Sequence, residues 1–175
     1  MLLTTLLITS GLAVAALVSQ ASEPQEFHIP LINVIHPSGR PGQSTYCTVR
    51  INATDASTNT SAQCNAKFGP CVGSSSTDDP EPEIPYPNAT HPEPCDDPSF
   101  RFYFPTYQSI GNFSVHITHA YEDASGEEAT HEGETETVTR DNYPDGYLYV
   151  CGGSGVCSAT FYNDDNPIVL PFLDH

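Results

Sequence analysis

The chain lacks tryptophan altogether, has one methionine, at its first position, and holds only five lysine and arginine residues among 175. Its 22 aspartate and glutamate residues give a formal net charge of −17 at pH 7. Such a surface repels phosphate backbones and anionic lipids, so the composition argues against nucleic-acid and membrane-surface partners. Without tryptophan, the core must be built from Val, Ile, Leu, Phe and Tyr, and stacking surfaces typical of a glycosidase are scarce.

Helical periodicity is also missing, because no window longer than about ten residues carries a capped apolar stripe at helical spacing. Instead, apolar and polar residues alternate, most clearly over 46–53, where Cys47, Val49 and Ile51 fall on one face. We predict an all-β fold, a compact disulfide-stapled β-barrel or sandwich of roughly seven to eight short antiparallel strands. The predicted strands are 26–35, 46–53, 100–104, 112–121, 135–139, 146–151, 159–162 and 168–173.

The first 21 residues are apolar from Leu2 to Val18 and contain no charged side chain. Small residues, Ser19 and Ala21, stand at the positions that a signal peptidase reads. A membrane anchor is the weaker interpretation, since polar residues break the apolar run and no basic flank follows it. We therefore expect a cleaved signal peptide over 1–21 and a single secreted, extracellular β-domain over 22–175, with no membrane contact after the signal is removed.

The cysteines form an even set, which predicts three disulfides in an oxidising compartment. None of them has the Cys-x-x-Cys spacing of a zinc site. Cys151 and Cys157 bracket a glycine-rich turn, so we predict that they pair. The other four cysteines allow three connectivities. A bridge from Cys64 to Cys95 would stabilise the fold by about 3 to 4 kcal/mol through the loss of denatured-state freedom, which favours this pair. Cys47 and Cys71 would then pair with each other. The six are Cys47, Cys64, Cys71, Cys95, Cys151 and Cys157.

Two segments interrupt the strand pattern. The segment 73–94 contains six prolines and is predicted to be an extended loop tethered between cysteines. The segment 122–136 contains seven carboxylates around two glycines and is predicted to be a long solvated hairpin loop. Four sequons without a central proline predict surface glycans at Asn52, Asn59, Asn88 and Asn112.

No catalytic residue, metal ligand or cofactor is predicted from the spacing of residues. Ser154 lies in a Gly-Ser-Gly segment, but glycine replaces the acidic residue of a protease motif and two cysteines pin the segment. His116 and His119 lie three residues apart, so on a strand they point to opposite faces and cannot bind one ion; we expect one at the surface and the other half-buried. The remaining histidines are interpreted as solvated, or as pH sensors: His28, His36, His91, His131 and His175.

The layout resembles the Alternaria alternata allergen 1-like family of secreted fungal proteins. The resemblance spans about 27–173 and rests on the segments 46–51 (YCTVRI), 95–97 (CDD), 100–102 (FRF), 111–119 (GNFSVHITH) and 151–157 (CGGSGVC). It implies a compact β-fold with two disulfides, Cys64–Cys95 and Cys151–Cys157. The pair Cys47 and Cys71 and the proline-rich segment depart from the family pattern.

The resemblance also implies a non-enzymatic extracellular role. We expect a fungal effector-like or allergen-like protein that binds a host or cell-wall protein or a small ligand. The loops 73–94 and 122–136 are the candidate contact surfaces. Two alternatives are a structural cell-wall or surface-coat glycoprotein and a small secreted hydrolase, although the spacing offers no nucleophile and base for the latter.

Overall fold

The computed structural model describes residues 25–40, 43–71 and 82–173. The expected signal peptide and positions 73–81 of the proline-rich segment lie outside these residues. The described residues form twelve strands and no helix, so none of them belongs to a helix that could cross a membrane. The strands are β1 (Glu26–His36), β2 (Cys47–Asp55), β3 (Thr60–Phe68), β4 (Glu93–Pro94), β5 (Phe100–Tyr103), β6 (Tyr107–Ser109), β7 (Asn112–Phe113), β8 (His116–Glu122), β9 (Glu128–Glu134), β10 (Tyr147–Cys151), β11 (Cys157–Tyr162) and β12 (Ile168–Pro171).

Two antiparallel sheets pack face to face. Sheet 1 has the order β10-β11-β1-β2-β3, and β12 pairs with the first part of β1. Sheet 2 has the order β4-β5-β8-β9, and β6 and β7 form a small separate pair. Over the described ranges the sheets do not close on themselves, so the fold is a sandwich and not a barrel.

The core lies between the two sheets and is dominated by phenylalanine and β-branched residues. Phe27 of sheet 1 meets Phe100 of sheet 2 edge-on, with ring centroids 6.5 Å apart. Each fully buried side chain of this size contributes about 1.5 to 3 kcal/mol. The largest fully buried side chains are Phe27, Ile29, Ile32, Val34, Ile51, Phe100, Phe102, Phe104, Phe113, Val115, Ile117 and Val138.

The strand prediction is wrong at 135–139 and misses β3, β4, β6 and β9, and the predicted strand 112–121 is divided into β7 and β8. β4 falls at the end of the proline-rich segment 73–94, which was expected to be a loop. Residues 135–139 are not a strand, and only a single bridge joins Val138 to Phe113. β3 was missed because its inward face is built partly from small residues, Ala62 and Cys64, which give little alternation. The acidic segment 122–136 is not a long loop: β8 ends at Glu122, and β9 occupies Glu128–Glu134.

Three disulfides are present, and their connectivity is the one favoured by loop entropy: Cys47–Cys71, Cys64–Cys95 and Cys151–Cys157. Cys64 lies on β3 and Cys95 directly follows β4, so that bridge joins sheet 1 to sheet 2. Disulfides of this number are typical of proteins from oxidising compartments.

The four sequon asparagines differ in exposure. Asn59 is exposed in the β2–β3 turn and adopts a positive φ of 54°, which asparagine tolerates better than most residues. Asn52, Asn88 and Asn112 are half-buried. The side chain of Asn88 already donates to the Tyr86 carbonyl oxygen at 3.1 Å.

Candidate metal centre and candidate binding edge

Asp55 ends β2 and lies between the sheets, fully buried. It continues the inward-facing row of Cys47, Val49, Ile51 and Ala53, so a carboxylate occupies a position where apolar residues normally sit. Burial of a charge is costly unless the charge is hydrogen-bonded. Both oxygens of Asp55 therefore need donors.

One oxygen is held by the turn that follows the strand. Oδ1 accepts from the Ser57 hydroxyl at 2.6 Å, from the Ser57 N–H at 2.9 Å and from the Thr58 N–H at 3.2 Å. This is the local pattern by which aspartate stabilises a turn. The other oxygen, Oδ2, is left to face sheet 2.

Two histidines of sheet 2 donate to that oxygen. His119 on β8 and His131 on β9 are direct cross-strand partners, so both side chains leave the same face of the sheet. Their Nδ1 atoms lie 2.8 and 2.7 Å from Asp55 Oδ2. Because an ionised carboxylate can only accept, each Nδ1 carries a proton here.

Aromatic rings and a phenol fix the two imidazoles. His119 stacks on Phe100 with centroids 4.0 Å apart, and His131 stacks on Phe172 at 3.9 Å. The Tyr121 hydroxyl lies 2.7 Å from His131 Nε2, the ring nitrogen that does not face Asp55. The imidazole of His131 is thus held at both nitrogens and on one face.

Burial alone would raise the pKa of Asp55. The hydrogen bonds from His119, His131 and Ser57 outweigh that effect and lower the pKa to about 2. The carboxylate is therefore ionised at any ordinary extracellular pH. A full negative charge lies at a point where two imidazoles converge.

Asp55, His119 and His131 each offer one ligand atom, and these atoms all lie within 4.8 Å of one another. Asp55 and His119 are buried, and the His131 side chain is 16% exposed, so solvent reaches the cluster from the His131 side. Chemically, the cluster can bridge the two sheets by hydrogen bonds. It can also present two nitrogens and one oxygen to a cation.

The expectation for the histidine pair on β8 is partly corrected. His116 and His119 do point to opposite faces, but both are buried, at 5% and 3% exposure, whereas one was expected at the surface. His116 is covered by Tyr103, which stacks on it at 4.5 Å, and lies 3.3 Å from a carboxylate oxygen of Glu132.

Sequence reasoning missed this centre because it compared histidines along one strand. The partner of His119 is His131, which lay in the segment expected to be a loop, and the third member is 64 residues earlier than His119. The sequence contains one signal for the pairing of His119 with His131. A hairpin turning at Asp123-Ala-Ser-Gly126 places 119 opposite 131, provided that 128–134 is recognised as a strand.

Ser154 lies in the exposed turn that joins β10 to β11, as expected for a turn residue. The turn is clamped by Cys151–Cys157, and the Arg40 guanidinium donates to the Gly153 carbonyl oxygen at 3.1 Å.

Exposed apolar side chains concentrate next to this turn. Among the described residues, five of the eight exposed large apolar side chains lie on β10, on its neighbour β11 or on β1, the next strand in the sheet: Ile35, Leu148, Tyr149, Val150 and Tyr162. Leu148 and Val150 pair with the outward-facing Thr160 and Ser158 of β11, so they belong to the outer face of sheet 1. We call β10 with these side chains the apolar edge.

Within the described part of the chain, the backbone at the apolar edge is unpaired on one side. Among the described strands, β10 pairs only with β11 and stands at the end of the sheet order. Tyr149 points to the opposite face from Leu148 and borders a cleft of about 420 Å³, which Tyr107 and Ile110 also line. The edge therefore presents apolar groups on both faces.

Comparisons of the chain with protein-family models, with curated proteins and with solved structures give no match.

Proposed function

We propose that the chain is a secreted, extracellular protein that acts without catalysis, by binding a partner protein at the apolar edge. The observation that carries the proposal is an uncharged, exposed, apolar edge strand on a chain with a formal net charge of −17. Three disulfides support an oxidising, extracellular setting. The resemblance to the allergen 1-like family supports a fungal effector-like or allergen-like role.

Natural edge strands are normally protected against pairing by lysine, by proline or by a bulge. β10 has none of these: it reads Tyr-Leu-Tyr-Val-Cys and pairs with β11 in unbroken register. An edge left open in this way suits the addition of an extended segment from another chain. Backbone hydrogen bonds would supply affinity, and Leu148, Tyr149 and Val150 would select the side chains of the partner.

The partner chemistry follows from the same features. The segment that adds to β10 is extended, has apolar side chains at alternate positions and belongs to a neutral or basic protein. A second copy of this chain is disfavoured, because two bodies of charge −17 repel each other. The disulfide and the Arg40 contact hold the end of the edge in place, which lowers the entropy lost on binding.

The test is affinity capture from host extracellular fluid with the oxidised protein and two variants. Leu148→Lys places a charge in the apolar edge, while Val169→Lys makes the same change at a 45% exposed position on β12 of the same sheet. We expect the wild type and Val169→Lys to capture the same protein and Leu148→Lys to lose it by about tenfold or more. Equal capture by both variants would overturn the proposal.

Two further measurements separate the alternatives. Sedimentation of the purified protein as a dimer that Leu148→Lys dissociates would make a second copy the occupant of the edge. Retention of the protein in the cell wall after detergent and salt, with no captured partner, would favour the surface-coat glycoprotein. The exposed sequon at Asn59 is the structural feature that supports the surface-coat alternative.

A further inference from the structure

We propose that Asp55, His119 and His131 form a binding site for one divalent transition-metal ion, of which zinc is the best match. This goes beyond the proposed binding of a partner protein, because the metal centre lies between the two sheets and not at the apolar edge. The starting observation is the convergence of three ligand atoms within 4.8 Å.

The chemistry of the donor set selects the class of ion. Two imidazole nitrogens and one carboxylate oxygen suit zinc and its neighbours in the first transition row. Calcium and magnesium prefer shells of oxygen ligands, which a histidine pair does not provide. Thiolate, the ligand that selects softer ions, is not offered, since all six cysteines are in disulfides.

The surroundings of the ligands resemble those of metal-binding residues. Ligating histidines usually hydrogen-bond through the ring nitrogen that does not face the metal. His131 meets that condition through Tyr121, and the stack on Phe172 fixes the plane of its ring. Asp55 Oδ1 is occupied by Ser57 and Thr58, which aims Oδ2 at the centre.

Metal binding requires a defined rearrangement of protons. Each neutral imidazole must change its tautomer: the proton that Nδ1 now donates to Asp55 is released to solvent and one proton is taken up at Nε2, so that no net proton is lost. At His131, Nε2 becomes the donor and the Tyr121 oxygen becomes the acceptor, so that hydrogen bond is kept with its direction reversed. The Nδ1 and Oδ2 atoms also move apart from 2.7–2.8 Å by about half an ångström to accommodate bonds of about 2.0 Å.

Three protein ligands leave a fourth tetrahedral position. The Ser57 hydroxyl is 3.4 Å from His131 Nδ1, but it already donates to Asp55 Oδ1. The fourth ligand is therefore a water molecule, which enters from the partly exposed His131 side. The ion links β2 of sheet 1 to β8 and β9 of sheet 2.

The experiment titrates chelator-treated, dialysed full-length protein with zinc in competition with a chromogenic chelator. Cobalt(II) is used in parallel, because a tetrahedral site gives strong visible absorption bands. His131→Gln removes one ligand at the edge of the centre. His28→Gln is the matched control, since His28 also contacts a carboxylate, that of Glu26 at 2.8 Å, but on the half-exposed outer surface.

We expect one ion per chain in the wild type and in His28→Gln, with a raised melting temperature in the presence of zinc. His131→Gln should weaken zinc binding by about 100-fold or more, and Tyr121→Phe, which keeps all three ligands, by about 10- to 100-fold. Tyr121→Phe keeps the test decisive even if His131→Gln does not fold. Absence of a tetrahedral cobalt spectrum in the wild type, or zinc affinity unchanged in both variants, would overturn the proposal and leave the cluster as a hydrogen-bonded bridge.

Discussion

Asp55 shows how a residue can occupy an apolar position and still stabilise the fold. Its pKa of about 2 results from hydrogen bonds that outweigh burial. Two of those bonds come from sheet 2 and three from its own turn, so the carboxylate joins a local motif to a long-range contact. The same local motif recurs at Asp123, which accepts from the Ser125 N–H and hydroxyl at 2.7 and 2.6 Å but is exposed.

That recurrence allows a controlled test of Asp55 in chelator-treated protein. Asp55→Asn keeps the turn but replaces Oδ2 by an NH₂ group that faces two N–H donors. We expect it to lower the free energy of unfolding by about 2 to 4 kcal/mol, whereas Asp123→Asn, at an exposed position, should leave it nearly unchanged. Urea denaturation of the two variants measures the difference. Equal effects would mean that the contacts with His119 and His131 add no stability.

Tyr107 gives the fold a dependence on alkaline pH. Burial among aromatic rings, including Phe68 at 5.1 Å, raises the pKa of Tyr107 from its ordinary value of 10.0 to about 12. The phenol is therefore neutral in the folded state over a pH range in which the unfolded chain ionises. The contribution of the neutral phenol to the free energy of unfolding is fully present below pH 10. It falls by about 2 kcal/mol as the pH rises towards 12.

Tyr107→Phe should remove this part of the pH dependence. Urea midpoints measured at intervals from pH 9 to pH 12 should fall less steeply for Tyr107→Phe than for the wild type. Tyr149→Phe is the control, because that side chain is 51% exposed. Parallel curves for the wild type and Tyr107→Phe would contradict the assignment.

At the scale of elements, β9 packs against sheet 1 at a glycine. A Cβ at Gly133 would lie 2.9 Å from a ring carbon of Phe27 and 3.2 Å from Cβ of Leu170. Phe27 is on β1 and Leu170 is on β12, so the absence of a side chain on Gly133 lets β9 approach the opposite sheet. β9 also carries His131, whose position depends on that approach.

Gly133→Ala should therefore destabilise the protein by about 1 to 3 kcal/mol through overpacking. Gly153→Ala is the control, since a Cβ there has no neighbour within 4 Å. Thermal unfolding followed by circular dichroism compares the two. If the two melting temperatures agree, the space behind β9 is larger than the contacts indicate.

At the scale of the whole molecule, the disulfides contribute according to the loops that they close. Cys64–Cys95 spans 31 positions and joins the two sheets, whereas Cys151–Cys157 spans six and clamps one turn. The chain-entropy relation gives about 4 kcal/mol for the longer loop and about 2 kcal/mol for the shorter one.

Replacing both cysteines of a pair by alanine tests this ranking. The Cys64/Cys95 variant should lose more unfolding free energy than the Cys151/Cys157 variant, as measured by urea denaturation under oxidising conditions. The Cys151/Cys157 variant should instead lose partner capture, because the end of the apolar edge is no longer held. A larger loss of stability from the shorter loop would show that strain or packing outweighs loop entropy.

The sequence by itself determined the features that depend on neighbouring residues or on simple counting. Alternation over 46–53 predicted β2, and an even set of cysteines predicted three disulfides, with Cys151–Cys157 as the most local pair. For the other four cysteines loop entropy only favoured the observed pairing over the two alternatives. The alternation of apolar and polar residues did not predict β9. Six of its seven residues are not fully buried, and the one that is buried is a glycine.

Only the tertiary structure decided the two sites. Asp55, His119 and His131 come together through the register of the β8–β9 hairpin and the packing of one sheet on the other, across 64 and 76 residues of sequence. The apolar edge depends on strand order, since β10 pairs with β11 and, among the described strands, with no other. Local sequence sets which way a side chain points along a strand, but which strands become neighbours depends on how the whole core packs.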